Sequence, residues 1–148
     1  MTREDGKDDS RPYGGAVIDI SREMLHEMVA HSVAGLPNEA CGLLAGPDGR
    51  AEHFFPMGNA DRSAMTYRLD PKEQLQVFEE IEEKGWDLVG IFHSHTHAEA
   101  YPSETDQRQA FYPEASYLLL SLAERDDPVL RAFAIRDGAV EEQEVRIT

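Results

Sequence analysis

The chain has 148 residues, 41% of them hydrophobic, and its 29 acidic against 14 basic residues give a net charge of −15. That length fits one domain with its own core, and the acidity argues against nucleic-acid phosphates and anionic membrane surfaces as partners. A single cysteine, Cys41, excludes an internal disulfide framework and a multi-cysteine zinc knuckle, and no apolar run reaches a spanning helix or signal-peptide core, so a cytoplasmic setting is expected.

In chain order, residues 1–15 are charged and polar with Pro and Gly, the composition of a flexible tail, and residues 16–148 form the expected folded domain. AVIDI reads as a short strand. Ser21 then caps a helix whose apolar face carries Met24, Leu25, Met28, Val29 and Val33, and which Gly35 and Pro37 end. EACGLLAG and RAEHFFPM, joined through Gly46-Pro47-Asp48-Gly49, read as a hairpin, and TYRLD as a further strand. Asp70 and Glu73 form a capping box around Pro71, opening a helix with Leu75, Phe78 and Ile81 on its apolar stripe and Gly85 at its end. WDLVGIFHSH is a buried strand running into the loop THAEAYP, after which S-x-x-D at Ser103 opens a short helix to about Tyr112. Three strands, SYLLLSLA, LRAFAIRD and AVEEQEVRIT, close the chain, the last two joined at Asp137-Gly138. The sum is a mixed sheet with about three helices, an α/β or α+β sandwich.

Chemistry concentrates at the end of the WDLVGIFHSH strand. His93 and His95, one residue apart on a strand, point to one face with α-carbons about 6–7 Å apart, close enough for both imidazoles to reach one ion. Asp106 follows after ten residues, at the third position of the short helix. Two imidazoles and a carboxylate leave the fourth position of a zinc ion open for water, the pattern of a catalytic site; Asp106 also suits the capping box with Ser103. A carboxylate must still take the water's proton and pass it to the leaving amine. Glu39, at the head of the ACGLLAG strand, can fill that role if this strand neighbours the His93 strand. His97 shares the parity of His93 and His95 only if the strand continues, so it and Tyr101 are read as loop residues that contact substrate. Cys41 reads as a small core residue, and His26, His31 and His53 as carrying no site.

Glu39 in NEACGLLAG, His93-Ser94-His95 and Ser103-Glu104-Thr105-Asp106 together resemble the signature of the JAMM (MPN-plus) metalloprotease family. The resemblance spans roughly Val17 to Ile147 and implies an MPN/JAB-type curved mixed sheet flanked by helices. It implies Zn2+ on His93, His95 and Asp106, Glu39 as general base and acid, and Ser103 as a stabiliser of the tetrahedral oxyanion. Thr96 and His97 stand where the family commonly has Pro after the second histidine. HSHTHAEAYPSETD, PMGNADRS and YRLD are similar to the bacterial CysO-cysteine peptidase branch. That branch implies a partner, a ubiquitin-like sulfur carrier protein with a glycine-rich C-terminus, from which cysteine is released. The tail is expected along an exposed strand edge near the site. The alternatives are an isopeptidase acting on lysine-linked conjugates and a metal-free scaffold. A cupin lacks the helices read here, an amidohydrolase barrel needs a longer chain, and a zinc deaminase needs two cysteines.

Overall fold

Seven strands form one curled mixed sheet in the order β1-β7-β6-β5-β4-β2-β3 in the computed structural model, which describes residues 16–148. The strands are β1 Val17–Ile20, β2 Cys41–Gly46, β3 His53–Met57, β4 Asp87–His95, β5 Ser116–Ser121, β6 Val129–Arg136 and β7 Ala139–Ile147. The helices are α1 Arg22–Gly35, α2 Pro71–Lys84 and α3 Glu104–Arg108, with a single 3-10 turn at Pro47–Gly49. β1 runs parallel to β7 and β4 parallel to β5; the other pairings are antiparallel. The expected tail, residues 1–15, lies outside the described residues.

The strand period of two sorts the sheet into two faces. Phe92 of β4 points to the side where Met24 and Met28 of α1 pack on Leu44, Leu118 and Leu120. Ile91 points to the other, where Ile81 of α2 meets Leu43, Leu119 and Phe133. β4 is paired on both sides, so the sheet's free edges are β1 and β3. Of these two edges, β3, one strand beyond β2, is the nearer to the end of β4.

The local signals act mostly as read. Ser21 accepts the Met24 N–H at 3.0 Å to start α1, and Gly85, at φ 68°, ends α2 in the left-handed conformation that suits glycine. Asp137 and Gly138 both hold positive φ, 51° and 79°, as a tight hairpin turn requires. Two helix stripes are narrower than expected. Val33 is 48% and Leu75 61% exposed, because the inward rows run through positions 24, 28 and 32 on α1 and 74, 77, 78 and 81 on α2.

Three further expectations are corrected. Asp70 caps α2 by accepting from Lys72 and Glu73 N–H, but Glu73 does not return to Asp70: its Oε1 accepts the Gly58 N–H at 2.7 Å. TYRLD is no strand, retaining only a bridge between Asn59 and Leu69. The Asn59 side chain takes over its backbone groups, with Oδ1 accepting from Arg68 N–H and Nδ2 donating to the Thr66 carbonyl. The third helix stops at Arg108 instead of near Tyr112, since Pro113 disfavours helical geometry in the residue before it and the Tyr112 N–H donates to the Tyr117 hydroxyl.

Candidate active site

β4 ends in the interior of the sheet with His93 and His95 on one face and Ser94 on the other. The Ser94 N–H donates to the Ala40 carbonyl at 2.9 Å, and Ser94 Oγ accepts the Ala40 N–H at 2.8 Å. This extends the antiparallel register in which Cys41 faces His93, so Glu39, two residues before Cys41, comes level with His95. The neighbour relation expected between the two strands is thus present.

α3 delivers the carboxylate. Ser103 Oγ accepts the Asp106 N–H at 3.0 Å while Asp106 Oδ2 accepts the Ser103 N–H at 2.9 Å, a complete capping box. The same Oδ2 lies 3.1 Å from His93 Nε2 and 3.1 Å from His95 Nε2. One ligand atom from each of His93, His95 and Asp106 lies within 4.8 Å of the others. Capping and convergence on the imidazoles are therefore performed by one carboxylate.

The donor set fits a cation. His95 Nδ1 donates to the Glu99 carbonyl at 2.7 Å, which leaves the Nε2 lone pair of a neutral ring facing a carboxylate oxygen. Two acceptors at that distance need a metal ion or a proton between them. Burial lowers the His95 pKa, but the hydrogen bonds to Asp106 and the Glu99 carbonyl outweigh it and the net shift is upward. For His93 burial dominates and holds the ring neutral. Burial would raise Asp106, yet the hydrogen bonds from both imidazoles hold its carboxyl far below the usual range. His93 Nδ1 is buried with no hydrogen-bond partner among the described residues, and its ring is covered by Tyr67, stacked at 4.3 Å between centroids and 16° between planes.

Glu39 is 4% exposed and its Oε1 has no hydrogen-bond partner among the described residues. Burial pushes its pKa up to about 8, His95 pulling down and Asp106 adding to the rise. A carboxyl so placed titrates near neutrality, as a group that takes and returns a proton must. Its N–H donates to the Ser63 carbonyl at 2.8 Å and its own carbonyl accepts from Asn59 Nδ2 at 3.0 Å.

The remaining expected residues divide. Ser103 is exposed beside the cluster, its oxygen engaged by the cap and its O–H proton available. His97 is exposed and turned to Thr96, its Nδ1 2.9 Å from Oγ1, away from the three-residue group. Tyr101 is 42% exposed and meets the ring of Phe133 edge-on. Thr96, where proline is the common residue, is buried and donates from Oγ1 to the Ala64 carbonyl at 3.4 Å, tying the site loop to the 59–66 segment. Sequence reasoning missed Asn59, Tyr67 and His31. His31, read as carrying no site, is half-buried, with Nε2 3.0 Å from the Cys41 carbonyl and 3.1 Å from that of Met57. Cys41 is buried as expected, and burial lifts its thiol to about 12.

Residues 21–136 match the family of prokaryotic homologues of the JAB domain. The chain belongs to the prokaryotic JAB family. Within it, the CysO-cysteine peptidase of Mycobacterium tuberculosis is 46% identical over 133 residues, covering 88% of this chain and 91% of that protein. A desampylase of Haloferax volcanii is 42% identical over 113 residues, 70% of this chain and 80% of that one. The solution structure of a Desulfitobacterium hafniense protein, 41% identical, superposes with a TM-score of 0.81 over 88% of this chain and 92% of its own. A JAB1/MPN domain protein of Archaeoglobus fulgidus, 15% identical, shares the JAB fold with a TM-score of 0.59 over 91% of this chain and all of its own. The JAB membership agrees with the JAMM resemblance carried by Glu39, the His-x-His pair and Asp106.

Proposed function

We propose that this chain is a zinc peptidase that hydrolyses the bond between the glycine-rich C-terminus of a ubiquitin-like sulfur carrier and an attached cysteine. The observation carrying the proposal is the buried, unpartnered Glu39 carboxyl beside the three-residue His93, His95 and Asp106 group. A metal-free scaffold has no use for such a carboxyl, which costs stability wherever it ionises. The extended likeness to the mycobacterial CysO-cysteine peptidase supports the carrier-cysteine bond as the target.

His93, His95 and Asp106 would hold the ion, and the neutral His93 and the Glu99-oriented His95 suit it. Bound there, zinc supplies a Lewis acid that polarises the scissile carbonyl and lowers the pKa of water. Glu39 accepts the proton of the attacking water and returns it to the leaving amine. Burial raises its pKa above the ordinary carboxylate range, which favours return of the proton. The Ser103 hydroxyl, whose oxygen is held by the Asp106 N–H, has its proton free to donate to the developing oxyanion. Tyr67 covers His93 and keeps water off that ring.

The likeness to the desampylase supports a second reading, an isopeptidase for lysine-linked conjugates of a ubiquitin-like protein. Two variants test the common chemistry. Glu39→Gln should lower turnover of a carrier-cysteine adduct by about 100-fold or more and leave metal content, measured by inductively coupled plasma mass spectrometry, at one zinc per chain. His95→Ala should lose the zinc. Wild-type turnover in the first variant, or a full zinc complement in the second, contradicts the assignment.

A further inference from the structure

The inference rests on the peptidase reading above and concerns what leaves the scissile bond. On the face of the sheet that carries His93 lies a cavity of about 230 Å3. Ile91 and Tyr117, paired across β4 and β5, line it one two-residue step before His93 and Leu119. That step is about 7 Å along the strand, about two residues of extended chain. Tyr67 forms another wall and stacks on His93, and Gln109, the residue after α3, lines it too. The cavity and the metal-ligand cluster therefore share the Tyr67 ring. Drug-sized ligands occupy pockets of about 300–1,000 Å3; at about 230 Å3 this one is smaller and has room for one amino-acid residue.

Its lining departs from the acidity of the whole chain. Against 29 acidic residues in the sequence, no Asp or Glu lines this cavity, and Arg68 is its single ionised side chain. Asp61 fixes the guanidinium by accepting from Nε at 3.2 Å, while Thr66 Oγ1 donates to the other Asp61 oxygen at 3.1 Å. The terminal nitrogens of Arg68 make no other hydrogen bond or ion pair among the described residues. The Arg68 side chain, 59% exposed and tied through Nε to Asp61, keeps its two terminal nitrogens for a carboxylate at the rim of the cavity.

We propose that this cavity takes the residue released by hydrolysis and that Arg68 recognises its free α-carboxylate. Hydrolysis breaks the amide C–N bond, adds hydroxyl to the carrier's carbonyl carbon and a proton to the amine; the carboxylate is present before and after. A lysine inside a protein chain has no carboxylate at that point, since its own is an amide. Arg68 thus selects a single C-terminal residue over a lysine-linked conjugate.

The probe is a ubiquitin-like protein ending in Gly-Gly, extended by one cysteine as the free acid or as the carboxamide. With the purified enzyme, kcat/KM for the acid should exceed that for the amide at least tenfold. In Arg68→Gln the acid-to-amide ratio should fall to near one, and Arg68→Lys should keep part of the preference. Because the ratio is taken within one protein preparation, a partly misfolded variant does not mimic the result. Fluorescence anisotropy on chelator-treated protein, where nothing is turned over, should give the same preference in binding. A wild-type ratio near one, or an undiminished ratio in Arg68→Gln, overturns the assignment of Arg68. Failure of the wild type to cleave either adduct instead contradicts the peptidase reading, and the binding ratio still decides the role of Arg68.

Discussion

Glu39 shows how one side chain links burial to chemistry. Its folded-state pKa of about 8 stands above the ordinary 4.5, so between those values the folded chain holds a proton that the unfolded chain has released. The stabilisation from this group is full below pH 4.5 and is lost as pH rises through 8. In chelator-treated protein, the wild type should therefore lose stability relative to Glu39→Gln across that window; urea titrations at pH 5 and pH 8.5 measure it, and a pH-independent difference contradicts the buried, protonated carboxyl. Asp106 works in the opposite sense, its depressed pKa favouring the fold above the usual carboxylate range, which is why the comparison must be made against the Gln variant. His93, His95 and Asp106 were legible because their relation is local: a strand period and a short loop into a helix cap. Tyr67 and His31 were not, because their partners, His93 and the Cys41 and Met57 carbonyls, lie 10 to 26 positions away across loops.

At the scale of elements, TYRLD, residues 66–70, is the part that periodicity misjudged. Asn59 donates from Nδ2 to the carbonyls of Glu39, Ser63 and Thr66, and its Oδ1 accepts from the Asp61 and Arg68 N–H groups. One side chain thereby ties together the loop, the segment carrying Tyr67 and Arg68, and the backbone of Glu39. Asn59→Ala leaves several of these groups unpaired in a half-buried setting and should cost about 1–3 kcal/mol of stability. It should also lower kcat while zinc content stays at one per chain, because Glu39 is displaced and the ligands are not. Unchanged kcat in a folded variant would show that Glu39 is held by other contacts. Where a side chain replaces strand pairing in this way, as at TYRLD, alternation reads correctly and the element still does not form. Helices α1 and α2 and all seven strands were legible from caps, breakers and periodicity, since these act within a few residues; the exposure of Val33 and Leu75 depends on which way each helix faces the sheet.

For the whole molecule, the sheet places β4 between β2 and β5, so that Glu39 and the His-x-His pair meet at one strand end with α3 across it. No helix among the described residues is long and apolar enough to cross a membrane. Metal binding should be linked to folding, because the proposed ligands come from β4 and α3 and are assembled only in the fold. At a free zinc concentration 100 times the Kd the folded state gains about 2.7 kcal/mol, so removing zinc should lower Tm by about 5 °C or more for a chain of this size. Differential scanning calorimetry with and without chelator measures this, and an unchanged Tm contradicts a site joining the two elements. The most direct measurement of the account is the intact mass of a ubiquitin-like carrier bearing a C-terminal cysteine, taken before and after incubation with the purified, zinc-loaded protein. The account predicts a carrier shortened by one cysteine residue, with free cysteine in solution, and no change with Glu39→Gln; an intact adduct after incubation with protein holding one zinc per chain would contradict it.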